Sequence, residues 1–215
     1  TKELKLSEDR LYISFFKGDS KDELSEDSET KTIWSDLISS DKIVAGLKKD
    51  NFWEMGKIGP CGPSTEIHID LRLDAERKKV KTKLLINKDH PQVIEIWNIV
   101  FIEFNRKENG KLELLPKQHV DTGMGFERLC MVLQNKTSTY DTDIFKDLIK
   151  TISSLSNTNY GKNKKTDIAI RVIADHIRAI VFSISDGQLP NNTGAGYVVR
   201  RILRRAVRYA YTYLN

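Results

Sequence analysis

The sequence predicts an α+β protein, with strands in the earlier part of the chain and helices at its end. Three observations point there. Runs of β-branched and aromatic residues cluster before residue 125, and Asn109-Gly110 lets two of them fold back on each other. Beyond residue 166 the apolar spacing is helical throughout.

In order along the chain, Arg10–Phe16 is a β-branched and aromatic run closed by Lys17-Gly18-Asp19, hence a strand. Ser28–Ser39 places Ile33, Trp34, Leu37 and Ile38 at helical spacing. Lys57–Ser64 carries two glycines at 59 and 62 and two prolines at 60 and 63, which predicts a shaped loop. Glu66–Asp70 alternates as a strand, and Arg72–Lys88 reads as a basic surface excursion. Val93–Asn105 predicts a long strand with Glu95, Trp97, Ile99 and Phe101 on one face, and Leu112–Val120 pairs back onto it. A glycine turn then leads into a helix over Gly125–Leu133, followed by an amphipathic helix over Thr142–Ser154. Two long helices, Ile168–Ser185 and Gly196–Leu214, flank a polar loop. These signals divide the chain into a mixed domain over 1–155, an Asn/Lys/Gly-rich linker over 156–166 and a helical region over 167–215.

Composition narrows the function classes. With 215 residues, 39% hydrophobic and 30% charged, the chain is long enough to bury a core. No run approaches the roughly 18 consecutive apolar residues of a membrane span. The start, Thr1-Lys2-Glu3-Leu4, lacks a Met and a signal-peptide pattern, so the expectation is a soluble, cytoplasmic segment of something longer, with a mitochondrial address left open. Cys61 and Cys130 form no CxxC or Cys/His cluster, so no zinc site is expected here. The net charge of +5 is uneven: Ile168–Asn215 holds seven arginines against Asp175 and Asp186. A polyanion would meet that end.

Asp121-Thr122-Gly123-Met124-Gly125-Phe126-Glu127-Arg128 lies where a strand gives way to a helix. Glycines allow close backbone approach, the helix N-terminus offers N–H groups to an anion, and Arg128 adds a guanidinium fork, so a nucleotide phosphate is one guest. A plain glycine turn, with Arg128 paired to Glu127 or turned to solvent, is the other reading. Asp121 suits an ammonium group. Glu66 and Glu95 are acids on otherwise apolar strands, either magnesium ligands beside nucleotide phosphates or solvent-facing carboxylates. The four histidines share no ligand spacing. Arg200, Arg201, Arg204, Arg205 and Arg208 make a broad basic face on one helix, preceded by Asn191-Asn192, whose amides can read a base edge.

Taken together, NFWEMGKIGPCGPSTEIHID, EIWNIVFIEFNR, LPKQHVDTGMGFERL, STYDTDIF, ADHIRAIVFSISDG and GYVVRRILRRAVRYA, in this order, closely resemble the alanyl-tRNA synthetases. That resemblance implies a class II synthetase fold, its antiparallel catalytic sheet followed by a helical tRNA-recognition region. It implies ATP- and magnesium-dependent activation of L-alanine to alanyl-adenylate and transfer to the 3′ end of tRNA(Ala). Under it, Gly123, Gly125 and Arg128 belong to the ATP site. Trp53, Asn98, Val100, Asp121 and Gly123 shape the alanine pocket, with Asp121 on the ammonium. Asn192 reads the acceptor-stem G·U pair, backed by Arg200, Arg201, Arg204 and Arg205. Zinc would belong to an editing domain outside this sequence.

Three positions depart from the pattern: Lys57 where an acid is common, Ser64 in place of a second Cys, and Ala195 in place of Arg. The first two class II motifs are not matched, so the segment alone is expected to be inactive and to leave a sheet edge unpaired. An RNA-binding module without adenylation chemistry is the alternative. The oligomeric state is not readable from the sequence.

Overall fold

The computed structural model describes residues 1–215. It divides into two compact units, Thr1–Thr137 and Ser138–Asn215. The first is built on strands β1 (Leu11–Phe16), β2 (Ile43–Gly46), β3 (Phe52–Glu54), β4 (Gly59–Asp70), β5 (Val93–Arg106) and β6 (Leu112–Met124). Helices α1 (Ser28–Ser35), α2 (Lys48–Asn51), α3 (Asp74–Lys79) and α4 (Phe126–Leu133) complete it.

The sheet runs β2-β1-β4-β5-β6, and β3 adds to β4. All pairings are antiparallel except β1 with β2. The sheet is therefore mixed rather than purely antiparallel as expected. The segment joining β1 to β2 contains α1 and is long enough for the crossover a parallel pair requires. At the other end β6, a 13-residue strand, is paired on one side only, so the sheet does carry a long open edge.

The Gly/Pro segment departs most from its sequence reading, because Gly59–Ser64 is the first half of β4 rather than a loop. Pro63, which has no N–H to donate, falls in the irregularity between Cys61 and Ser64. Gly62 is required by contact: a Cβ there would lie 1.8 Å from the carbonyl oxygen of Phe101. A second irregularity, between Ile67 and His68, pairs Ile67 with Trp97 but His68 with Glu95. Neighbours on β4 face opposite ways, so Glu95 shares the face of His68 and does not align with Trp97 as its spacing predicted.

One face of the sheet is covered by helices. Val132 of α4 packs with Ile69 and Ile96, while Trp34 of α1 donates from Nε1 to Thr65 Oγ1 at 2.9 Å. A second cluster joins Phe16, Phe52 and Cys61. The basic excursion folds back on an ion pair: Arg72 grips Asp70 from Nε and Nη2 at 3.0 and 2.7 Å, and Thr82 Oγ1 donates to the same carboxylate at 2.6 Å. Burial pushes the Asp70 carboxyl up, but these hydrogen bonds outweigh it and hold it below its usual range.

The second unit contains α5 (Asp143–Leu155), α6 (Lys164–Ser185) and α7 (Gly194–Tyr213). Phe145 and Ile149 of α5 pack on Ile170 and Ala174 of α6, with Tyr140 and Tyr160 alongside. The compact units part at 137/138, and the apolar face of α5 is buried by α6. Residues 156–163 connect two helices of one unit, and α6 begins inside the expected linker, capped by Asn163.

Two outcomes follow for stability, both measured by urea unfolding of the chain. Gly62→Ala will lose at least ~1–3 kcal/mol, because a backbone carbonyl must move to admit the methyl group. Asp70→Asn will cost about 3–5 kcal/mol by leaving Arg72 buried without its partner. Since the folded Asp70 carboxyl titrates low, its contribution is complete above the ordinary aspartate range and fades as pH falls through the folded value. The variant will therefore show a shallower loss of stability on acidification.

Candidate functional site

Cross-strand register brings the expected pocket residues together. Ser14, Glu66, Asn98 and Gly123 form one row across β1, β4, β5 and β6. Ser64, Val100 and Asp121 form the next row. Directly opposed residues share a face, so Asn98, Val100, Asp121 and Gly123 lie side by side on the face opposite Thr65 and Ile69, which the helices cover. Asp121 is exposed, with Oδ1 accepting from the Thr122 N–H at 2.9 Å. The space beside Gly123 is open, with nothing within 4 Å of a Cβ built there. Trp53 sits on β3 opposite Gly62, off these two rows and 38% exposed.

Thr122 fixes the end of β6. Its hydroxyl donates to the carbonyl of Asn98 at 3.1 Å and accepts from Trp97 Nε1 at 2.6 Å. The glycine segment is thus not a free turn: Asp121–Met124 still belongs to β6, and Gly125 is the N-cap of α4. No side chain caps that helix, so its first N–H groups remain available to an anion.

Arg128, in the first turn of α4, donates from Nη1 to the Glu95 carbonyl at 2.9 Å and to Glu95 Oε2 at 3.3 Å. Its side chain remains 51% exposed. Two residues given separate roles by the sequence therefore meet in one ion pair.

Glu66 is 5% exposed and surrounded by donors. Its Oε2 accepts from Ser14 Oγ at 2.6 Å, Asn87 Nδ2 at 3.0 Å, His68 Nε2 at 3.1 Å and Asn51 Nδ2 at 3.4 Å. Its Oε1 accepts from Asn98 Nδ2 at 3.4 Å. Burial raises this carboxyl, but the hydrogen bonds from His68, Ser14 and Asn87 prevail and hold it below the usual glutamate range. Glu66 and Glu95, the acids expected as magnesium ligands, are both engaged with protein partners. One carboxylate is enclosed by hydrogen-bond donors from Ser14, Asn51, His68, Asn87 and Asn98, the other is paired with Arg128, and no three His, Cys, Asp or Glu residues gather as a metal site. Ser14, Asn51, Asn87 and His68 escaped the sequence reading; the only local signal was polar Glu66, His68 and Asp70 alternating along one strand.

In the second unit, Asn192 is exposed at the entry to α7, its N–H donating to Asn191 Oδ1 at 2.7 Å. This corner depends on Gly196, where a Cβ would lie 2.5 Å from the Leu189 carbonyl oxygen. Arg201, Arg204, Arg205 and Arg208 are exposed and Arg200 half-buried. Arg201 stacks over Tyr197 and Arg205 over Tyr209, at 5.8 and 5.6 Å from the ring centroids. The apolar side is narrower than expected: Gly196, Val199 and Ala206 are buried, whereas Val207 lies exposed among the arginines. An open groove of about 1050 Å³ runs along this face.

The mixed sheet with its strand-to-helix arginine, followed by helices, has the character of a class II synthetase domain, and the chain belongs to that family, "tRNA synthetases class II (A)", which it matches over residues 1–215. Its relatives bear out the resemblance to alanyl-tRNA synthetases. An alanine-tRNA ligase of Cytophaga hutchinsonii is 62% identical over 98% of the chain and 24% of the relative. One from Bacteroides thetaiotaomicron is 60% identical over 99% of the chain and 24% of the relative. Another, from Flavobacterium psychrophilum, is 57% identical over the whole chain and 25% of the relative. The chain thus spans about a quarter of the length of these relatives.

Substituting Gly123→Ala should leave urea stability within about 0.5 kcal/mol, because the methyl group enters open space. Gly196→Ala, by contrast, should lower the melting temperature of the chain and shift the NMR signals of Asn191 and Asn192, whose loop must move.

Proposed function

We propose that the chain supplies the amino-acid pocket and part of the tRNA contact of an alanine-tRNA ligase. The observation that carries this reading is the register that sets Asp121, Asn98, Val100 and Gly123 side by side, under a family match spanning the whole chain. An ammonium group pairs with the Asp121 carboxylate, and a methyl side chain fits beside Val100 and the open space at Gly123. With the ammonium held, a substrate carboxylate oxygen attacks the α-phosphorus of ATP, and the bond to pyrophosphate breaks. Arg128, at the uncapped start of α4, meets the negative charge of the nucleotide phosphates. The terminal ribose hydroxyl of tRNA(Ala) then attacks the adenylate carbonyl and AMP leaves. No step is assigned to magnesium.

The basic face of α7 supports the RNA half of the reading. Guanidinium groups track a phosphate backbone, while the exposed Asn192 amide offers a donor and an acceptor to a base edge in a shallow minor groove. Discrimination against glycine by this pocket is limited to roughly 1–3 kcal/mol, the worth of one methylene.

Alanine-dependent ATP–pyrophosphate exchange by the full-length gene product tests the proposal. Asp121→Ala is expected to lower kcat/KM for alanine by about 100-fold, the loss of a charged hydrogen-bonded pair. Gly123→Val should raise KM for alanine while the fold persists. Charge reversal at Arg201 and Arg204 should weaken tRNA binding and reduce its salt dependence by roughly one charge per arginine, leaving exchange intact. No exchange from the folded full-length protein, with tRNA binding retained, would leave an RNA-binding module in place of the enzyme.

A further inference from the structure

The substrate site reaches deeper than the residues that face it. Asn98 sits between Glu66 on β4 and Gly123 on β6. Its Nδ2 donates to Glu66 Oε1, while its Oδ1 is buried and has no hydrogen-bond partner. A buried carbonyl without a donor is costly, and an ordered water or a ligand group can supply the missing donor. Beside it, on the same face, stands Asp121.

Which way the Asn98 amide points is decided by Glu66. An ionised carboxylate only accepts, so every group facing it must donate, and Asn98 must present Nδ2 to it. Four other donors, Ser14, Asn51, His68 and Asn87, hold that carboxylate in place from three sides of the chain. Asn87 arrives from the excursion between β4 and β5 with φ of +55°, a left-handed backbone that asparagine tolerates better than most residues. Ser14 is itself oriented by a hydrogen bond from Asn51 Nδ2 at 2.9 Å.

We propose that Glu66 is a positioning residue for the amino-acid site: by accepting from Asn98 Nδ2 it leaves the Asn98 carbonyl as a second acceptor, beside Asp121, for the ammonium group of the substrate. This rests on the aminoacylation reading above. It replaces the metal role of Glu66 with an indirect one and predicts that a charge buried away from the pocket sets affinity for the amino acid.

The test uses the full-length protein, with exchange kinetics and melting temperature recorded for each variant. In Glu66→Gln the new NH₂ group can face Asn98, whose amide must then turn to offer Oδ1 inward and Nδ2 toward the ammonium. KM for alanine is expected to rise roughly tenfold to a hundredfold while KM for ATP stays within about twofold. The double variant Glu66→Gln/Asn98→Asp should recover most of the affinity, because one carboxylate oxygen accepts from Gln and the other faces the ammonium. A merely structural role for Glu66 would not respond to that second change. If Glu66→Gln does not fold, Asn87→Ala, which removes one donor from a half-buried position, should give a smaller rise in KM for alanine alone. An unchanged KM for alanine in the folded variants overturns the proposal, as does an equal loss for alanine and ATP without rescue. Absence of exchange in the unsubstituted protein would instead overturn the aminoacylation reading itself.

Discussion

The register of the three strands β4, β5 and β6 is the constraint on which this molecule depends. Shifting β5 by one residue would turn Asn98 and Val100 to the helix-covered face and replace them with Trp97 and Ile99. Two devices hold it. Gly62 lets β4 pass directly against the Phe101 carbonyl, and the irregularity at Ile67/His68 absorbs one residue of β5 so that Glu95 turns toward His68. Helix α4 and the Thr122 bridge to Asn98 and Trp97 then fix where β6 ends. The face that carries Asn98, Val100, Asp121 and Gly123 is thus specified by backbone contacts some distance from those side chains.

Polarity inside this sheet is concentrated around two buried carboxylates, although Asn51 Oδ1, His68 Nδ1 and Asn98 Oδ1 are buried without a hydrogen-bond partner. Glu66 and Asp70 are both buried, both held low by hydrogen bonds that outweigh desolvation, and both tie distant segments to β4. They differ in partner. Asp70 meets Arg72 and anchors the basic excursion, whereas Glu66 meets hydroxyl and amide groups together with His68 and shares the face of Asn98. Such pairs specify one arrangement over others more than they add stability, since a hydrophobic replacement of equal volume could pack as well. At the opposite end of the chain the logic is reversed: Arg201, Arg204, Arg205 and Arg208 of α7 are exposed, and Arg201 and Arg205 lie over tyrosine rings.

Much of this was legible in the sequence, and the gaps have physical causes. Asp121, Gly123 and Arg128 drew notice through their motif, Asn98 and Val100 only through the family resemblance, and the two C-terminal helices, one with a basic face, through their periodicity. What failed was anything dependent on long-range pairing. Gly59–Ser64 reads as a loop because its glycines and prolines disfavour a strand locally, yet β3 and β5 flank it and impose one. Glu66 reads as a surface acid or metal ligand because its donors come from residues 14, 51, 87 and 98, far away along the chain. Nor did periodicity reveal that α5 shares its core with α6, since an amphipathic pattern gives a face and not its partner.

The central claim is that one sheet face binds the amino acid through Asp121 and Asn98. The most direct measurement is a crystal structure of the full-length protein with a non-hydrolysable analogue of alanyl-adenylate. The account predicts its ammonium group within hydrogen-bonding distance of the Asp121 carboxylate and of Asn98 Oδ1, its methyl group beside Val100 and Gly123, and Glu66 still accepting from Asn98 Nδ2. An analogue bound elsewhere, or an Asn98 amide turned to donate to the ligand, would contradict it.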